Sequence, residues 1–553
     1  MRLRITLVVI GLCCISFILG AFWLQTQAFP YKYISDLDYL VFMKKRLVGS
    51  IPVLPDVVGS AFSGFKLESV KLDNEFLIKH NGGGIQAIGN KVIIVGKHGQ
   101  FFLYQNIGGD KSVKMLDIST RNNYEGFLAF VNSKGLDDKL VQDWFRYIDI
   151  LYYEDGIDRS LLLSHHYWHP DRECFTVRIS QLRLQDGEEL ESVSKSADDW
   201  TTLYDSKPCL QLNNKGFYFA GHFSGGRMAL LDKDHILFTV GFLGYDGVSS
   251  DRFYSQGTDG DYGKILQIDL KSGQPCDFSI GHRNPQGLAI DRDGNIWSTE
   301  HGPKGGDELN LIEPGANYGW PYVTYGTQYS MTRWPLSATQ GRHDGYKRPI
   351  FAWLPSIGVS NLIQIRGFLP EWDGDLLVAS LIGQTLFRMH YREGRVIVVE
   401  PIRIGGLIRD LDQLENGNIV LWLGDTSIVE MTPVKTDAPA IETIVRGLNE
   451  PAREQATTAI QTCLQCHSAS SDGGAKSTPS LWGIYGRKIA STAFSAYSPA
   501  LRSKPGSWNA ETLDAFLEDT TRFAPGTTMT YPGISSPTIR KVVIEYLKAL
   551  KEE

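Results

Sequence analysis

Hydrophobic residues follow three different patterns along this 553-residue chain. An uncharged apolar run extends from Ile5 to Leu24, directly after the basic residues Arg2 and Arg4. The middle of the chain repeats a short apolar strand, a polar turn with Asp, Asn or Gly, and a β-branched or aromatic strand, as in GLAIDRDGNIWSTEHG and LDQLENGNIVLWLG. Such repeats predict antiparallel β-structure. The C-terminal part ends instead in a predicted helix from Pro537 to Lys551.

The N-terminal run has about the length that a helix needs to span a bilayer. Arg2 and Arg4 should stay in the cytoplasm and place the rest of the chain outside. We therefore expect a transmembrane anchor over residues 1–28, followed by a connector over residues 29–73. A cleaved signal peptide is the alternative, with Thr26-Gln27-Ala28 near its cleavage point. Both interpretations predict export of the chain.

The repeated strands, from residue 74 to residue 431, are irregularly spaced and lack long helical periodicity. This pattern favours a β-propeller, and two stacked β domains remain the alternative. Residues 432–452 form a predicted linker with prolines near its start, and residues 453–553 form a separate, small all-α domain. The predicted fold class is thus mainly β, with an N-terminal helix and a C-terminal helical domain.

Composition narrows the functional classes. The chain has 55 Lys and Arg against 62 Asp and Glu, so nothing in its charge indicates a nucleic-acid partner. Seven cysteines are present. In an oxidising compartment Cys174 and Cys209 could pair, which would leave Cys276 free. Sequence alone does not give this connectivity.

The motif Cys463-Leu464-Gln465-Cys466-His467 carries the clearest chemistry. C-x-x-C-H is the attachment signal of a c-type haem, with Cys463 and Cys466 bonded to the porphyrin and His467 as an axial ligand of the iron. A zinc half-site and a redox dithiol are the alternatives. Zinc would need further ligands downstream, where no cysteine follows, and a dithiol would need a βαβ context.

From Cys463 to its end, the sequence resembles a class I cytochrome c. The resemblance implies that the carbonyl of Pro479 fixes the haem-ligand imidazole. It also implies that Arg487, Tyr497 and Trp508 hold a haem propionate, and that Met529 in PGTTMTYPGI is the sixth ligand. A thioether opposite histidine stabilises ferrous iron and suits an electron carrier.

The stretch Gly281–Gly326 resembles the soluble quinoprotein glucose and aldose-sugar dehydrogenases. Their six-bladed propellers bind pyrroloquinoline quinone (PQQ) and calcium. The resemblance implies cofactor contacts for Arg283 and Asn284, in GHRNPQG, and for Arg409, in LIRDLD. It implies that His222, in GHFSGGR, is the catalytic base, although His222 lies one residue further from Arg227 than the family pattern requires.

The same resemblance implies two calcium positions. The carbonyls of Gly302 and Pro303 match the catalytic calcium, and Glu308 with the carbonyl of Tyr318 matches a structural one. Oxygen ligands of this kind suit that ion.

The chain departs from the family at four expected cofactor-site positions, occupied here by Tyr124, Phe242, Ile382 and Leu407. Where the family has a lysine, this chain has Ile382, and where the family has an arginine, it has Leu407. Phe242 replaces the carboxylate that orients the catalytic base in the family. Each lost charge-assisted hydrogen bond to an anion costs about 1.5–3 kcal/mol. These positions therefore predict weakened PQQ binding.

A further cluster, His165, His166 and His169 on one predicted strand, is expected to lie at a strand end against solvent rather than to bind a metal.

Together these features predict an electron-transfer protein on the periplasmic side of the bacterial inner membrane. The propeller would oxidise a small sugar or alcohol with PQQ and calcium, and haem c would pass electrons singly to a downstream redox partner. One alternative is a propeller that has lost catalysis and serves as a docking module for the cytochrome. Another is a remodelled pocket with a different cofactor or substrate.

Overall fold

The computed structural model describes most of the chain after residue 56. The described residues are 57–59, 64–71, 82–135, 144–154, 159–212, 220–339, 341–424, 427–433, 441–464, 467–469, 478–492, 494–495, 497–529, 531 and 533–551. The predicted anchor, residues 1–28, lies outside them. Within these ranges, no helix is both long and apolar enough to cross a membrane.

Among the described residues, six sheets of four or five strands are the blades of a propeller, and a seventh sheet has only two strands. Two strands precede the first blade: β1 (Val57–Gly59) and β2 (Gly64–Lys71). Blade I follows with β3 (Gly84–Ile88), β4 (Lys91–Val95), β5 (Phe101–Ile107) and β6 (Asp110–Met115). After it come β7 (Asp117–Ile118) and helix α1 (Tyr124–Ser133).

Blade II contains β8 (Tyr147–Glu154), β9 (Arg159–His169), β10 (Cys174–Leu184) and β12 (Thr201–Asp205). The short strand β11 (Ser194–Lys195) pairs in parallel with β7, and β13 (Leu210–Gln211) pairs with β10. A disulfide joins Cys174 to Cys209 beside this pairing, which is the pairing that the sequence allowed but did not determine, and Cys276 is free and exposed.

The next three blades have four strands each. Blade III contains β14 (Gly225–Leu230), β15 (His235–Val240), β16 (Lys264–Asp269) and β17 (Pro275–Ile280). Blade IV contains β18 (Pro285–Ile290), β19 (Ile296–Glu300), β20 (Asp307–Ile312) and β21 (Phe351–Trp353). Blade V contains β22 (Val359–Gln364), β23 (Leu376–Ser380), β24 (Thr385–Arg392) and β25 (Arg395–Arg403).

Blade VI closes the ring with strands from both ends of the domain. It contains β26 (Ile408–Gln413), β27 (Ile419–Leu423) and β28 (Ser427–Pro433). Strand β2 pairs with β28 from Phe65↔Pro433 to Lys71↔Ser427, and β1 adds a fifth strand. The predicted connector 29–73 therefore contains a propeller strand. The predicted start of the propeller at residue 74 is wrong, because β2 already belongs to blade VI. The short GFKLESVK segment gave no repeat signal of its own.

The second strand of each blade lies between two neighbouring blades, which explains its composition. All five residues are buried in β23 (LLVAS) and in β27 (IVLWL). Strands buried on both faces read as continuous apolar runs rather than as an alternating pattern. The turns between strands use Gly294 and Gly417, which have φ angles of 81° and 88° that favour glycine.

The six innermost strands contact one another in a closed ring in the order β3, β8, β14, β18, β22, β26 and back to β3. These strands run parallel to one another. Between β3 and β26, for example, the amide of Ile85 donates to the Asp410 carboxylate, and the amide of Ala87, two residues later, donates to the Asp412 carboxylate, two residues later in β26. Their N-terminal ends therefore lie at one end of the propeller axis. We call this end the site face.

The C-terminal domain is helical. Its helices are α2 (Ile441–Val445), α3 (Glu450–Leu464), α4 (Pro499–Arg502), α5 (Ala510–Glu518), α6 (Thr520–Phe523) and α7 (Pro537–Ala549). Helix α7 packs on α2, α3 and α5 over one apolar core. Helix α2 and the start of α3 fall within the predicted linker 432–452, so that boundary is also corrected. Helix α3 contacts the 3-10 turn Pro370–Trp372 of blade V.

Candidate functional site

The loops of the site face bring the predicted propeller residues together. His222 lies in the 3-10 turn Gly221–Phe223 directly before β14, and Arg283 and Asn284 directly precede β18. Asn284 is fully buried and bridges two loops. Its Nδ2 donates to the His222 carbonyl and to Nδ1 of His301, each at 3.4 Å. The order of the blades thus joins residues that are far apart in sequence.

His222 is held neutral by its surroundings. Burial lowers the pKa of its imidazole to about 3, and the positive charges of Arg146 and Arg283 add to the shift. Its Nδ1 is buried and has no hydrogen-bond partner among the described residues. Phe242 occupies the position predicted to have lost the orienting carboxylate. Tilted ring contacts with Phe223 and with Trp144, the latter with centroids 5.0 Å apart, position the imidazole instead, and Phe242 stacks on Phe223.

Arg283 is enclosed by aromatic rings. Its guanidinium lies 4.9 to 5.2 Å from the ring centroids of Phe242, Phe223 and Trp320. Cations over aromatic faces are stabilised by the ring quadrupole. Burial lowers the pKa of Arg283 from its usual value. Phe242, a departure from the family pattern, therefore has a definite role in this site.

The guanidinium of Arg283 also affects the predicted catalytic calcium. Its Nη1 donates to the carbonyls of His301 and Gly302 at 3.0 and 2.8 Å. A calcium ion at the Gly302 carbonyl would have to displace this bond. The position of the Arg283 guanidinium therefore does not fit a calcium ion at Gly302 and Pro303. No group of three or more acidic, histidine or cysteine side chains suited to a metal occurs within the described ranges.

The second calcium position has a different character. A cavity of about 20 Å³, room for one water or one ion, lies among Glu300, Glu308, Tyr318 and His343. Burial raises the pKa of Glu308, and the charge of Glu300 raises it further. His343 Nε2 lies 3.5 Å from the Glu308 carboxylate. The two carboxylates bring negative charge to this cavity, Arg283 lines it as well, and calcium here stays a prediction.

His301 and Arg409 complete the site face. His301 Nε2 donates to the Val359 carbonyl at 2.6 Å, which leaves Nδ1 to accept from Asn284. Burial lowers the pKa of His301, and the charges of Arg283 and Arg409 lower it further. Arg409 is 9% exposed and acts electrostatically on Arg146 as well. The predicted cofactor residues Arg283, Asn284 and Arg409 thus surround one centre.

Below this centre, Arg227 crosses the propeller axis. Its Nη1 donates to Asp149 at 3.0 Å and to Asp410 at 2.6 Å, its Nε to the Gln286 carbonyl, and its Nη2 to the Arg409 carbonyl. These bonds link blades II, III, IV and VI. The arginine of the GHFSGGR motif is therefore the structural hub beneath the site face.

Sequence reasoning missed Lys97, Arg146 and His301. Lys97 lies in the turn between β4 and β5, as His301 lies in the turn between β19 and β20. The available sequence signal was that Lys97 in VGKHGQ and His301 in TEHGPK occupy equivalent turns of the repeated unit. Arg146 precedes an innermost strand, as Arg283 does, but no motif marks it.

The other departures are less central. Tyr124 begins α1 and packs on Phe145, Ile382 is 70% exposed, and Leu407 is half-buried before β26. His165 and His166 are fully buried, so the prediction that this cluster faces solvent is wrong. They lie at the centre of blade II because β9 is covered by β8 and β10.

The C-terminal domain arranges its predicted haem residues in one place. His467 Nδ1 donates to the Pro479 carbonyl at 2.8 Å, which leaves Nε2 for iron. Burial lowers the pKa of this imidazole. Cys463 and Met529 both pack on the apolar core of the domain. Cys466 lies outside the described residues.

The three predicted propionate residues are neighbours. The backbone amide of Trp508 donates to the Arg487 carbonyl at 2.8 Å, and Tyr497 acts electrostatically on Arg487. The Arg487 guanidinium donates to the carbonyls of Ser480 and Trp482. The imidazole orientation and this polar group fit a covalent haem.

Comparison with known proteins agrees with this division of the chain. A family model for glucose/sorbosone dehydrogenases matches residues 157–428. Aldose sugar dehydrogenase YliI of Escherichia coli is 29% identical over 41% of this chain and 62% of its own length. The chain spans about 62% of the first curated relatives that match the propeller.

A cytochrome c homolog of Rickettsia typhi is 36% identical over 23% of this chain and 76% of its own length. In fold, the chain is similar to the crystal structure of the apo-form soluble aldose sugar dehydrogenase from Escherichia coli. That likeness has a TM-score of 0.51 and 20% identity, and it covers 67% of this chain and 100% of the other. The chain is thus a glucose/sorbosone dehydrogenase-like propeller fused to a C-terminal domain that belongs to the cytochrome c family.

Proposed function

We propose that this chain is an exported oxidoreductase, anchored by its N-terminal apolar run on the periplasmic side of the inner membrane. It would oxidise the C–OH group of a sugar or other alcohol at the site face of the propeller and pass electrons to its own haem c. Bound PQQ would supply the two-electron acceptor, and the haem a one-electron carrier. The relatives named as sugar dehydrogenases and cytochromes c support this assignment.

One observation carries the proposal: a neutral histidine stands among buried cations. A base must be unprotonated to accept a hydroxyl proton, and burial, together with the charges of Arg146 and Arg283, keeps His222 in that form. These cations also attract an anionic cofactor. An anion that offsets their charge would raise the pKa of His222, whereas the part of the shift that comes from burial would remain.

Each residue then has a stated task. His222 takes the substrate hydroxyl proton at Nε2, and Asn284 holds the backbone carbonyl of His222 in place. Arg283 keeps its position through its bonds to His301 and Gly302. The aromatic rings of Phe223, Phe242 and Trp320 exclude water around this guanidinium.

The test uses the purified full chain with its haem attached. PQQ is added, and reduction of the haem absorption band is followed across a panel of aldoses and alcohols. The His222→Gln variant should bind PQQ as the wild type does but turn over about 10²- to 10⁴-fold more slowly. Equal turnover by both proteins would contradict the role of His222.

The dependence of the rate on protein concentration identifies the acceptor. Helix α3 contacts the turn Pro370–Trp372, which follows the C-terminal end of β22 and lies at the end of the propeller away from His222. A haem reduction rate independent of protein concentration would show that the tethered haem receives the electrons. A rate proportional to concentration would show transfer between two chains.

A second candidate function is a docking module for the cytochrome. The observation that favours it is the engagement of Arg283 with protein carbonyls and aromatic rings in place of an open cofactor site. Absence of PQQ binding by calorimetry would end the first proposal in its stated form.

A further inference from the structure

The loops of blades IV and V carry a group of exposed apolar side chains at the site face. Tyr329 is 64% exposed, Met331 66%, Leu354 64% and Ile382 70%. Single exposed apolar side chains are normal at a protein surface, whereas several in one place mark a binding surface. Apart from residue 340, the structure describes every residue from 301 to 384. We call these four side chains the apolar rim.

The turn Gln328–Thr332 presents Tyr329 and Met331 in a fixed shape. The Gln328 amide donates to the Thr332 carbonyl, and the Met331 amide donates to the Gln328 carbonyl, both at 2.9 Å. The Thr332 hydroxyl donates to Oε1 of Gln328, also at 2.9 Å. Met331 has a φ angle of 68°, which is uncommon for a residue other than glycine. Strained backbone of this kind clusters where a protein contacts its ligand.

This turn is joined to the loop that holds Arg283. Thr327 and Lys304 exchange backbone hydrogen bonds at 2.9 and 3.0 Å. Two residues before Lys304, the carbonyl of Gly302 accepts from Arg283 at 2.8 Å. Burial lowers the pKa of Arg283, and Tyr329 opposes this shift electrostatically and through a hydrogen bond. The phenol of Tyr329 therefore reaches the guanidinium while most of the side chain stays exposed.

The same loop also positions the other two members of the rim. A Cβ atom on Gly305 would lie 3.4 Å from Cδ2 of Leu354, and one on Gly358 would lie 3.2 Å from Cγ1 of Ile382. The Asp307 carboxylate joins these two places, because it accepts from amides of both loops at 3.1 and 2.7 Å. The apolar rim thus surrounds the turn between β19 and β20.

Aromatic side chains connect the rim to the proposed base. Trp334, in the same loop as the rim turn, packs on Trp320 with ring centroids 4.8 Å apart. Trp320 and Phe223 both lie against the guanidinium of Arg283, and Phe223 also contacts the ring of His222. A substrate with its C–OH group beside His222 would therefore direct a substituent along these rings toward the rim.

We propose that the apolar rim is a subsite for an alkyl or aryl substituent of the substrate, so that the propeller prefers a substituted sugar or alcohol over a free aldose. This inference rests on the proposed function, because that function places the reacting C–OH group beside His222. The ring of Tyr329 offers its face to an aryl group, and the thioether of Met331 adapts to substituents of different shape. At Ile382, an apolar side chain replaces the family's lysine and extends this surface.

The test compares glucose with 6-O-benzylglucose, whose C1 hydroxyl is free, on the full haem-containing chain loaded with PQQ. The values of kcat/KM for haem reduction should favour the benzyl derivative about 10- to 100-fold. Met331→Ser and Ile382→Ser should each lower this preference about 3- to 10-fold. The matched control is Ile107→Ser. Ile107 is 68% exposed at the end of β5 in blade I, away from the rim, so this variant should keep the wild-type preference.

Calorimetry of both sugars with the PQQ-free chain separates the two hypotheses. If the haem is reduced but the wild type shows no preference, or the rim variants keep it, the subsite is wrong while the proposed function stands. If neither sugar reduces the haem, yet the chain binds 6-O-benzylglucose more tightly and the rim variants remove this difference, the subsite stands and the proposed function is wrong. If there is neither turnover nor a difference in binding, both fail.

Ultracentrifugation checks the other occupant of such a surface, a second copy of this chain. A wild-type oligomer that Ile382→Ser dissociates, with the preference between the two sugars unchanged, would assign the rim to contact between copies and overturn the subsite. Circular dichroism confirms that each variant is folded.

Discussion

Replacing the hub arginine should expose how strongly the site face depends on one buried ion cluster. Arg227→Met keeps most of the side-chain volume and removes the charge that Asp149 and Asp410 share. The side chains of Arg227 and Asp149 are 7% exposed and that of Asp410 is fully buried. Removing one partner of a buried ion pair leaves uncompensated charge, which costs about 3–5 kcal/mol of unfolding free energy.

The pH dependence of this loss has a definite sign. Burial raises the pKa of Asp149 to about 6, and the Asp410 charge adds to this while Arg227 opposes it. A carboxyl that titrates at about 3.9 when unfolded therefore binds its proton more tightly in the folded state. Its contribution to stability is full below pH 4 and is lost as pH rises through 6. Without Arg227 the folded pKa rises further, so the variant loses more at pH 8 than at pH 5.

The assay is urea unfolding of the propeller at pH 5 and pH 8, followed by tryptophan fluorescence. The control, Arg292→Met, breaks the surface pair of Arg292 with Asp373, whose side chains are 44% and 39% exposed. That pair should contribute less than about 1 kcal/mol at either pH. If Arg227→Met is as stable as wild type, or if its deficit is the same at both pH values, the reasoning is refuted.

Three further predictions concern other parts of the chain. Deletion of residues 1–72 removes β2 from blade VI and should lower the melting temperature sharply, whereas deletion of residues 1–55 should not. Equal melting temperatures of the two deletion variants would refute closure of the propeller by this strand. Cys209→Ser opens the bridge to Cys174, which spans 35 residues, and should cost about 3–4 kcal/mol by chemical unfolding, with an unchanged midpoint as the contrary result. Met529→Ala should lower the haem midpoint potential by redox titration, and an unchanged potential would show that Met529 is not an axial ligand.

The haem site was predictable because its signal is local. Cys463, Cys466 and His467 lie within five consecutive residues, and the resemblance to class I cytochromes c implied the bond between the imidazole and the Pro479 carbonyl. The structure places the Pro479 carbonyl 2.8 Å from His467 Nδ1. A short motif of this kind fixes chemistry and geometry together.

The propeller site was predictable only in part. Arg283, Asn284 and Arg409 lie within recognisable motifs, and they meet at the site face as expected. The side chains of Lys97 and Arg146 both pass Gly82 only because blades I and II are neighbours around the axis, a long-range arrangement that strand periodicity does not specify. The same reason explains why β2, far from its partner β28, was assigned to a connector.

The central claim is that electrons removed from an alcohol at the site face reach the haem of the same protein. Anaerobic titration of the oxidised, PQQ-loaded full chain with limiting aldose tests it most directly. Oxidation of one C–OH group releases two electrons and the single haem of the chain accepts one, so the account predicts that the first aldose consumed by each chain reduces that chain's own haem at a rate independent of protein concentration, while the second electron needs a further acceptor. A haem that stays oxidised while PQQ is bound and aldose is in excess would contradict it.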